Sequence, residues 1–387
     1  MADGSCDMVV VGAGAVGAAC AYFATRAGLS VTVVDRGPVG GGTTSRGEGN
    51  ILVSDKAPGP ELDLALWSRR LWRDLGADLG TDRIELEEKG GLVVAASPSG
   101  AASLADFARA QRTAGVDAVE VPAERLREHE PHLAPDLAGG VLYPQDMQVQ
   151  PVAAAAVMLA EARARGALLR AGVEVQGLTR ADGGLVTGVV TDHGTIPTRA
   201  VVNAAGTWGG AVSERLGGPV PVLPRRGFIL VTEPLPRVVR HKVYSADYVD
   251  NVASSDAGLE TSTVVEGTRG GTVLIGASRE RVGYDQSFSV EVVSRLAAQA
   301  VRIFPFLAEV RAMRAYHGFR PYCPDHLPVI GADPRVPGLF HACGHEGAGI
   351  GLAAATGRLL SDLLSGAEPV VDPAPFSPAR FVEGAGV

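Results

Sequence analysis

The chain has 387 residues, 46% of them hydrophobic, with 50 glycines, 25 prolines and a formal net charge of −8. That length supports a large core and two domains, and the glycine and proline content points to tight turns and close backbone approaches. The acidic balance argues against nucleic acid, which needs a basic face, and no apolar run reaches the ~18 residues of a membrane-spanning helix.

The opening MADGSCDMVVVG lacks the basic segment of a signal peptide. Met8 to Val11 is a short apolar run suited to a strand buried on both faces. Gly12, Gly14 and Gly17 then spell GxGxxG. Gly12 allows the tight turn, Gly14 lets backbone approach a pyrophosphate, and Gly17 lets helix and strand pack closely. Ala15 to Arg26 is the helix, with Val16 in its first turn, and Gly28 stands where it should stop. Val31 to Val34 is a second strand. Asp35 ends it, where an acid can accept hydrogen bonds from an adenosine ribose, and Arg36 follows. Strand, loop, helix, strand and acid in that order mark a dinucleotide site. FAD and NAD present the same ADP half to it.

The next segment separates them. GPVGGGTTSRGEGN, from Gly37 to Asn50, is rich in glycine and hydroxyls. An NAD-type fold would go on to a helix and another strand of the same sheet. A loop of small residues can instead run along a pyrophosphate and ribityl chain, with Thr43, Thr44 and Ser45 as donors and Gly49 near a flat ring. The plainer alternative is a surface turn.

Pro60 to Leu79 is helical, with Leu64, Trp67, Leu71 and Leu75 at three- and four-residue steps; Trp67 and Trp72 read as core. Ile84 to Ala96 reads as strands around a turn at Gly90 and Gly91. Ala101 to Ala114 is a helix, Leu133 to Gln150 is loop-rich, and Val152 to Arg165 is a helix. Ala167 to Ala205 is a β unit ending in AVVNAAGTWGG. There Ala205, Gly206 and the small residues around Trp208 suit a second close approach to nucleotide. RRGFILVTEP and GGTVLIGAS read as strands of another sheet, and Val290 to Phe304 as a helix. At the end, Phe340 to Cys343 is a strand, Gly344 to Gly351 a flexible loop and Leu352 to Leu364 a helix. A helix N-terminus facing free amides suits partial negative charge, such as reduced flavin carries. Both ends of the chain thus build one cofactor domain, with a substrate domain inserted in two pieces. Cys6, Cys20, Cys323 and Cys343 lack CxxC spacing and are too few to staple the chain. They indicate a reducing compartment, read as the cytoplasm, and no zinc site.

VVVGAGAVGAACAYFATRAGLSVTVVD, TTSRGEGN, VVNAAGTW, GFRPYCPDHLPVIG and HACGHEGAGIGLAAATG span nearly the whole chain. Together they resemble the D-amino acid oxidase superfamily of FAD enzymes, which includes glycine oxidase and sarcosine oxidase. EGNILVSDKAPGPELDLALWS and LPRRGFILVTEP look most like the catalytic subunits of hydrogen cyanide synthase, opine oxidase and D-hydroxyproline dehydrogenase. The resemblance implies an α/β fold. Its FAD-binding, Rossmann-like domain would comprise 1–85, 145–220 and 322–387. An inserted α+β substrate domain on a mainly antiparallel sheet would comprise 86–144 and 221–321.

It also implies roles. Gly12, Gly14 and Gly17, with Ala15 and Val16, would hold the FAD pyrophosphate, and Asp35 and Arg36 the ribose end. Thr43, Thr44 and Ser45 would line the phosphate and ribityl path, with Gly49 and Asn50 near the ring. Val173 would meet the adenine through its backbone. The loop of Gly344, His345, Glu346, Gly347, Gly349, Ile350 and Gly351 would touch the pyrimidine edge. Arg320 matches the position that takes the substrate carboxylate; a guanidinium can do so bidentately, and the alternative is a structural ion pair. Tyr244 and Tyr248 are candidates to support that carboxylate or cap the pocket, or else packed tyrosines. Glu48, the only acid in its loop, would orient an amine or tune the ring, or else is a solvated carboxylate. His345 would donate a hydrogen bond near the flavin, or else is a satisfied loop histidine.

Some sarcosine oxidases tether FAD through a cysteine. The nearest match to that position here is around Gly318, so noncovalent FAD is expected. The reading is oxidation of an amino acid or secondary amine by hydride transfer from its α carbon to flavin N5, then hydrolysis of the imine. Alternatives are a flavoprotein subunit passing electrons to partner subunits and an NAD-dependent dehydrogenase.

Overall fold

The computed structural model describes residues 5–248 and 254–382. Strand Cys6–Val11 is buried from Met8 onward, as an unbroken apolar run requires when helices cover both faces. Its sheet runs edge to edge as Val329–Ala332, Leu339–Cys343, Gly194–Asn203, Cys6–Val11, Val31–Asp35 and Leu168–Ala171. Neighbours are parallel except the first pair. A hairpin, Val175–Arg180 with Val186–Thr191, extends from Gly194–Asn203.

Helix Ala15–Arg26 packs against Pro151–Ala164 and Gly349–Ser365. Contact with the last helix is nearly backbone on backbone, since a Cβ at Gly357 would come within 2.5 Å of the Ala19 carbonyl carbon. Helix Pro60–Leu79 then ties that C-terminal helix down. Ser68 Oγ and Trp72 Nε1 both donate to the Gly351 carbonyl, at 2.5 and 3.0 Å, and both side chains are wholly buried.

The second sheet runs Ala312–Tyr322, Leu223–Thr232, Val273–Arg279, Glu260–Gly267, Lys242–Ser245, Gly91–Ala95, Gly139–Tyr143 and Val119–Pro122. All its contacts are antiparallel except Lys242–Ser245 on Gly91–Ala95. Helix Val290–Ile303 buries Val292, Leu296 and Ala300 in one cluster with Phe228, Leu230 and Ile275. The fold is therefore α/β, a Rossmann-like parallel sheet beside a mainly antiparallel one. Among the described residues no helix is long and apolar enough to cross a membrane.

Three expectations are corrected. Ile84 closes the one-turn helix Thr81–Ile84 rather than opening a strand. Fully buried there, it gains what a strand position would have given. The loop-rich stretch from Leu133 holds strands Gly139–Tyr143 and Met147–Gln148. Finally, Gly344 to Gly351 is not one loose loop: a 3-10 turn, Glu346–Ala348, leads into a helix that already starts at Gly349. The helix begins early because Gly351 lies against the backbone of Asn50 and Ile51, where a Cβ would meet Asn50 O at 3.2 Å.

Candidate active site

One continuous cavity runs from Asp35 and Trp208 at one end to Tyr248 and Arg320 at the other. At the first end the walls are mostly backbone. Gly12 has φ +115°, a conformation that penalises any side chain, and a Cβ there would overlap the Ala204 carbonyl. A Cβ on Gly17 would overlap the Gly12 carbonyl, so the third glycine sets the helix-to-strand distance. Helix Ala15–Arg26 has no side-chain N-cap, although Thr44 Oγ1 accepts from Ala15 N at 3.0 Å. Thr43 Oγ1 donates to Phe319 O at 2.9 Å and so ties this loop to the second sheet.

Asp35 lines the cavity, but both of its oxygens already accept backbone amides, from Ala13 N and Gly37 N, each at 2.7 Å. A carboxylate has about four acceptor sites, so it braces the turn and keeps capacity for a ribose. Val173 N donates to Asp35 O at 3.0 Å. Arg36 lies 4.7 Å from the Trp208 ring centroid, and Trp208 stacks on Tyr284 with planes 3° apart. Ala15, Val16, Ala205 and Gly206 complete this wall.

At the second end the walls are charged side chains. Glu48 and Asn50 line the cavity. Glu48 Oε2 accepts from Asn50 Nδ2 at 2.9 Å and from Lys242 Nζ at 3.4 Å. Its Oε1 is buried and has no hydrogen-bond partner among the described residues. Gly276 leaves the room for it, since a Cβ there would lie 2.6 Å from Oε1. Lys242 also bonds Asn50 Oδ1 and, at 3.1 Å, Glu266 Oε2. Burial opposes the Lys242 charge, but Glu48 and Glu266 outweigh it and hold the ammonium above its usual range.

Arg320 reaches across Gly227, where a Cβ would overlap its Nη1, to donate to Ser278 O at 2.8 Å. No carboxylate pairs with it among the described residues. Burial, and then the neighbouring Arg279, push its pKa down. Tyr248 lies beside it in the cavity wall, with the Arg279 guanidinium 4.7 Å from its ring. Glu346 sits at φ 48°, a strained position for a non-glycine residue. It is held there by Arg225 Nη1 at 2.6 Å and by His326 at 3.3 Å.

Several expected residues fall elsewhere. Tyr244 is buried outside the cavity, bonding Ser54, which in turn bonds the buried Asp146. It packs edge-on against Tyr248, 5.0 Å between centroids, and so supports that ring rather than facing a ligand. Ser45 turns its exposed hydroxyl to Gly41 O and Gly42 O. Gly49, Gly344 and Gly351 do not line the cavity: Gly49 backs onto Val149, and Gly344 lies near Cys323 and Val222. His345 lines it, yet one ring nitrogen is 2.9 Å from Thr356 Oγ1 and burial lowers its pKa to about 3, so it stands neutral. Sequence reasoning missed Lys242, Glu266, Arg225 and Arg279. Arg225 falls within LPRRGFILVTEP, but no motif marks the other three, and strand pairing brings all four behind the cavity wall, against residues that line it.

These walls fit a flavin dinucleotide. The glycine cradle at Gly12 and Gly14 leaves space that a Cβ would fill against Ala204 and Thr44. Helices starting at Ala15 and at Gly349 both lack side-chain caps, and the cavity touches the N-terminus of each. Amide-rich helix starts of this kind suit phosphate and other negative charge.

The family comparison agrees with the geometry. The model of the FAD dependent oxidoreductase family DAO matches residues 7–363, and the chain belongs to that family. It is an FAD-dependent oxidoreductase, related to enzymes acting on amino acids or amines, which overturns the NAD alternative. It is 33% identical over 382 residues to glycine oxidase of Pseudomonas aeruginosa, covering 96% of this chain and 98% of that one. It is 30% identical over 417 residues to hydrogen cyanide synthase subunit HcnC of the same organism, covering 97% and 96%. The crystal structure of glycine oxidase from Geobacillus kaustophilus superposes with a TM-score of 0.87 at 29% identity, over 97% of this chain and 99% of that one.

Proposed function

We propose that this enzyme oxidises a carboxylate-bearing amine, an amino acid or secondary amine, at the carbon next to nitrogen. The product is an imine that water hydrolyses. Bound FAD supplies the two-electron acceptor for the hydride. The first sheet would carry the cofactor and the second the substrate, a division of the chain at 86–144 and 221–321.

The observation that carries the reading is Arg320, a half-buried guanidinium in the cavity wall that spends one donor on Ser278 O and has no acid partner among the described residues. A substrate carboxylate completes it bidentately and fixes the α carbon. Tyr248 walls that position. Glu48 acts on the site through its charge: Lys242 and Asn50 hold its Oε2, and its Oε1 is packed against Gly276. The amide end of Gly349–Ser365 stabilises negative charge that develops near it. Hydride transfer from a neutral amine needs position and field more than a catalytic dyad, so the residues present suffice.

The cofactor is read as noncovalent. Cys323 and Cys343 pack with Val220, Val222 and Val329, away from the cavity, and burial pushes the Cys343 thiol up to about 12. Acid precipitation should leave the yellow colour in the supernatant.

The deciding experiment is anaerobic. Glycine, sarcosine, D-amino acids, hydroxyprolines and opines are added in turn while the flavin absorbance is followed. One or more should bleach it with no other protein present; if none does, the amine reading fails. A second reading, a subunit that needs partners, is favoured by the likeness to a synthase subunit. Bleaching by the isolated chain would remove it.

A further inference from the structure

We infer that Glu346 is a catalytic residue: its carboxylate takes the substrate nitrogen, beside Arg320, and steadies the positive charge that nitrogen gains as hydride leaves the α carbon. The inference rests on the amine-oxidation reading and assigns the nitrogen end of the same site.

Glu346 and Arg320 both line the cavity. Two contacts bring them side by side. Strand Leu223–Thr232 pairs with Ala312–Tyr322 so that Arg225 stands directly opposite Arg320, and such pairs share one face of a sheet. Arg225 Nη1 in turn donates to Glu346 Oε1 at 2.6 Å. From the other side, a Cβ on Gly347, the next residue, would lie 3.7 Å from Arg320 Nε. Glu346 nonetheless pairs with Arg225 and not with Arg320. One cavity wall therefore presents a guanidinium without an acid and, near it, a carboxylate. An α-amino acid carries the complementary pair on one carbon.

The carboxylate is fixed rather than free to swing. Glu346 stands at φ 48° and His326 at φ 59°, both in the left-handed region that side chains avoid. His326 Nδ1 lies 3.3 Å from Glu346 Oε2, and its Nε2 2.9 Å from Ser255 Oγ. Each carboxylate oxygen thus has one partner among the described residues, and about two of the group's four acceptor sites stay open. Burial opposes the charge on Glu346, but His326, Arg225 and Arg279 outweigh it and hold the carboxyl below its usual range, so it is ionised. Glu48, another acid in this part of the wall, has its second oxygen packed against Gly276.

Hydride transfer leaves charge on nitrogen. The Cα–H bond breaks and its electron pair goes to bound FAD. The nitrogen lone pair closes a C=N bond, and the neutral amine becomes an iminium cation. Water then attacks that carbon, and the nitrogen departs as an ammonium. A fixed carboxylate accepting an N–H meets more positive charge in the transition state than in the bound amine. It therefore speeds the chemical step rather than merely tightening binding.

The test compares flavin-loaded wild type, Glu346→Gln and Glu346→Asp. Propionate, which has no nitrogen, is titrated against the flavin absorbance. The amine that bleaches wild type fastest in the anaerobic panel is then mixed with each protein, and the limiting bleaching rate at saturation is measured. Glu346→Gln should keep its FAD and bind propionate within about twofold of wild type, yet bleach about a hundredfold more slowly. Glu346→Asp should fall between. The inference is overturned if the limiting rate is unchanged, or if only the amine concentration for half-saturation moves. It is equally overturned if Glu346→Gln folds colourless, which would make the carboxylate a flavin ligand, or if it loses propionate in parallel, which would make it a prop for Arg320. If Glu346→Gln does not fold, Glu346→Asp decides: a limiting rate equal to wild type overturns the inference. If no amine bleaches wild type, the amine reading falls and this assignment with it. An amine that bleaches wild type and Glu346→Gln equally removes the assignment alone.

Discussion

At the Asp35 end of the cavity the walls are amides and glycines, most of them from one contiguous stretch of chain. At the Arg320 end they are charged side chains collected from strands far apart in sequence. The first kind of wall tolerates almost no added atom, since a Cβ on Gly12 or Gly17 overlaps a carbonyl. The second tolerates shape change but not charge change, because its cations and acids are out of water. One end is thus specified by sterics and the other by charge balance, and substitutions should separate the two.

The largest effect is expected at the steric end. Gly12→Val should abolish FAD retention, giving a colourless protein with a lowered Tm; a yellow, fully loaded variant would break the comparison. Next comes the charged end. Arg320→Met should keep its flavin spectrum yet lose about two to three orders of magnitude in kcat/KM for carboxylate-bearing amines. Loss of the flavin instead would mean that Arg320 serves the cofactor.

The third prediction concerns pH. His345 stays neutral in the folded chain down to about pH 3, whereas the unfolded chain protonates it below its ordinary value of 6.5. The unfolded state therefore takes up the proton first, and stability falls as pH drops from 6.5 toward 3, by on the order of a few kcal/mol. Above 6.5 this group adds no slope. Denaturant unfolding of His345→Gln should show a flatter acid limb than wild type; identical limbs would refute the assignment. The smallest effect is expected from Ser45→Ala. Its hydroxyl is turned away from the cavity, so FAD affinity should stay within about twofold and stability within roughly 0.5 kcal/mol.

The same contrast explains what could be read in advance. The strand–GxGxxG–helix–strand–acid order is a local signal, because backbone geometry is written in consecutive residues. Helix Pro60–Leu79 was legible for the same reason. The reading of Arg320 came through the GFRP match, not through any spacing rule. Lys242, Glu266 and Arg279 stand in stretches whose composition is ordinary, and only pairing of Lys242–Ser245, Glu260–Gly267 and Val273–Arg279 in one sheet makes them a cluster. Tyr244 misled because its neighbour Tyr248 does line the cavity; which tyrosine points inward depends on a hydrogen bond to Ser54 that no periodicity reveals. Gly349–Gly351 misled because glycine-rich sequence reads as loop, although tertiary contact with Asn50 and Ile51 fixes those residues in a helix.

The grip of Ser68 and Trp72 on Gly351 has a consequence for biosynthesis. The glycine loop leaves the ribosome first, and the helix that closes the other side of the site follows only after the whole substrate-side sheet has emerged. At ordinary elongation rates that delay is roughly tens of seconds. During it the nascent polypeptide holds a half-built pocket, so pigment can be retained only once that helix has emerged, and a chain stopped before Gly349 should purify without colour.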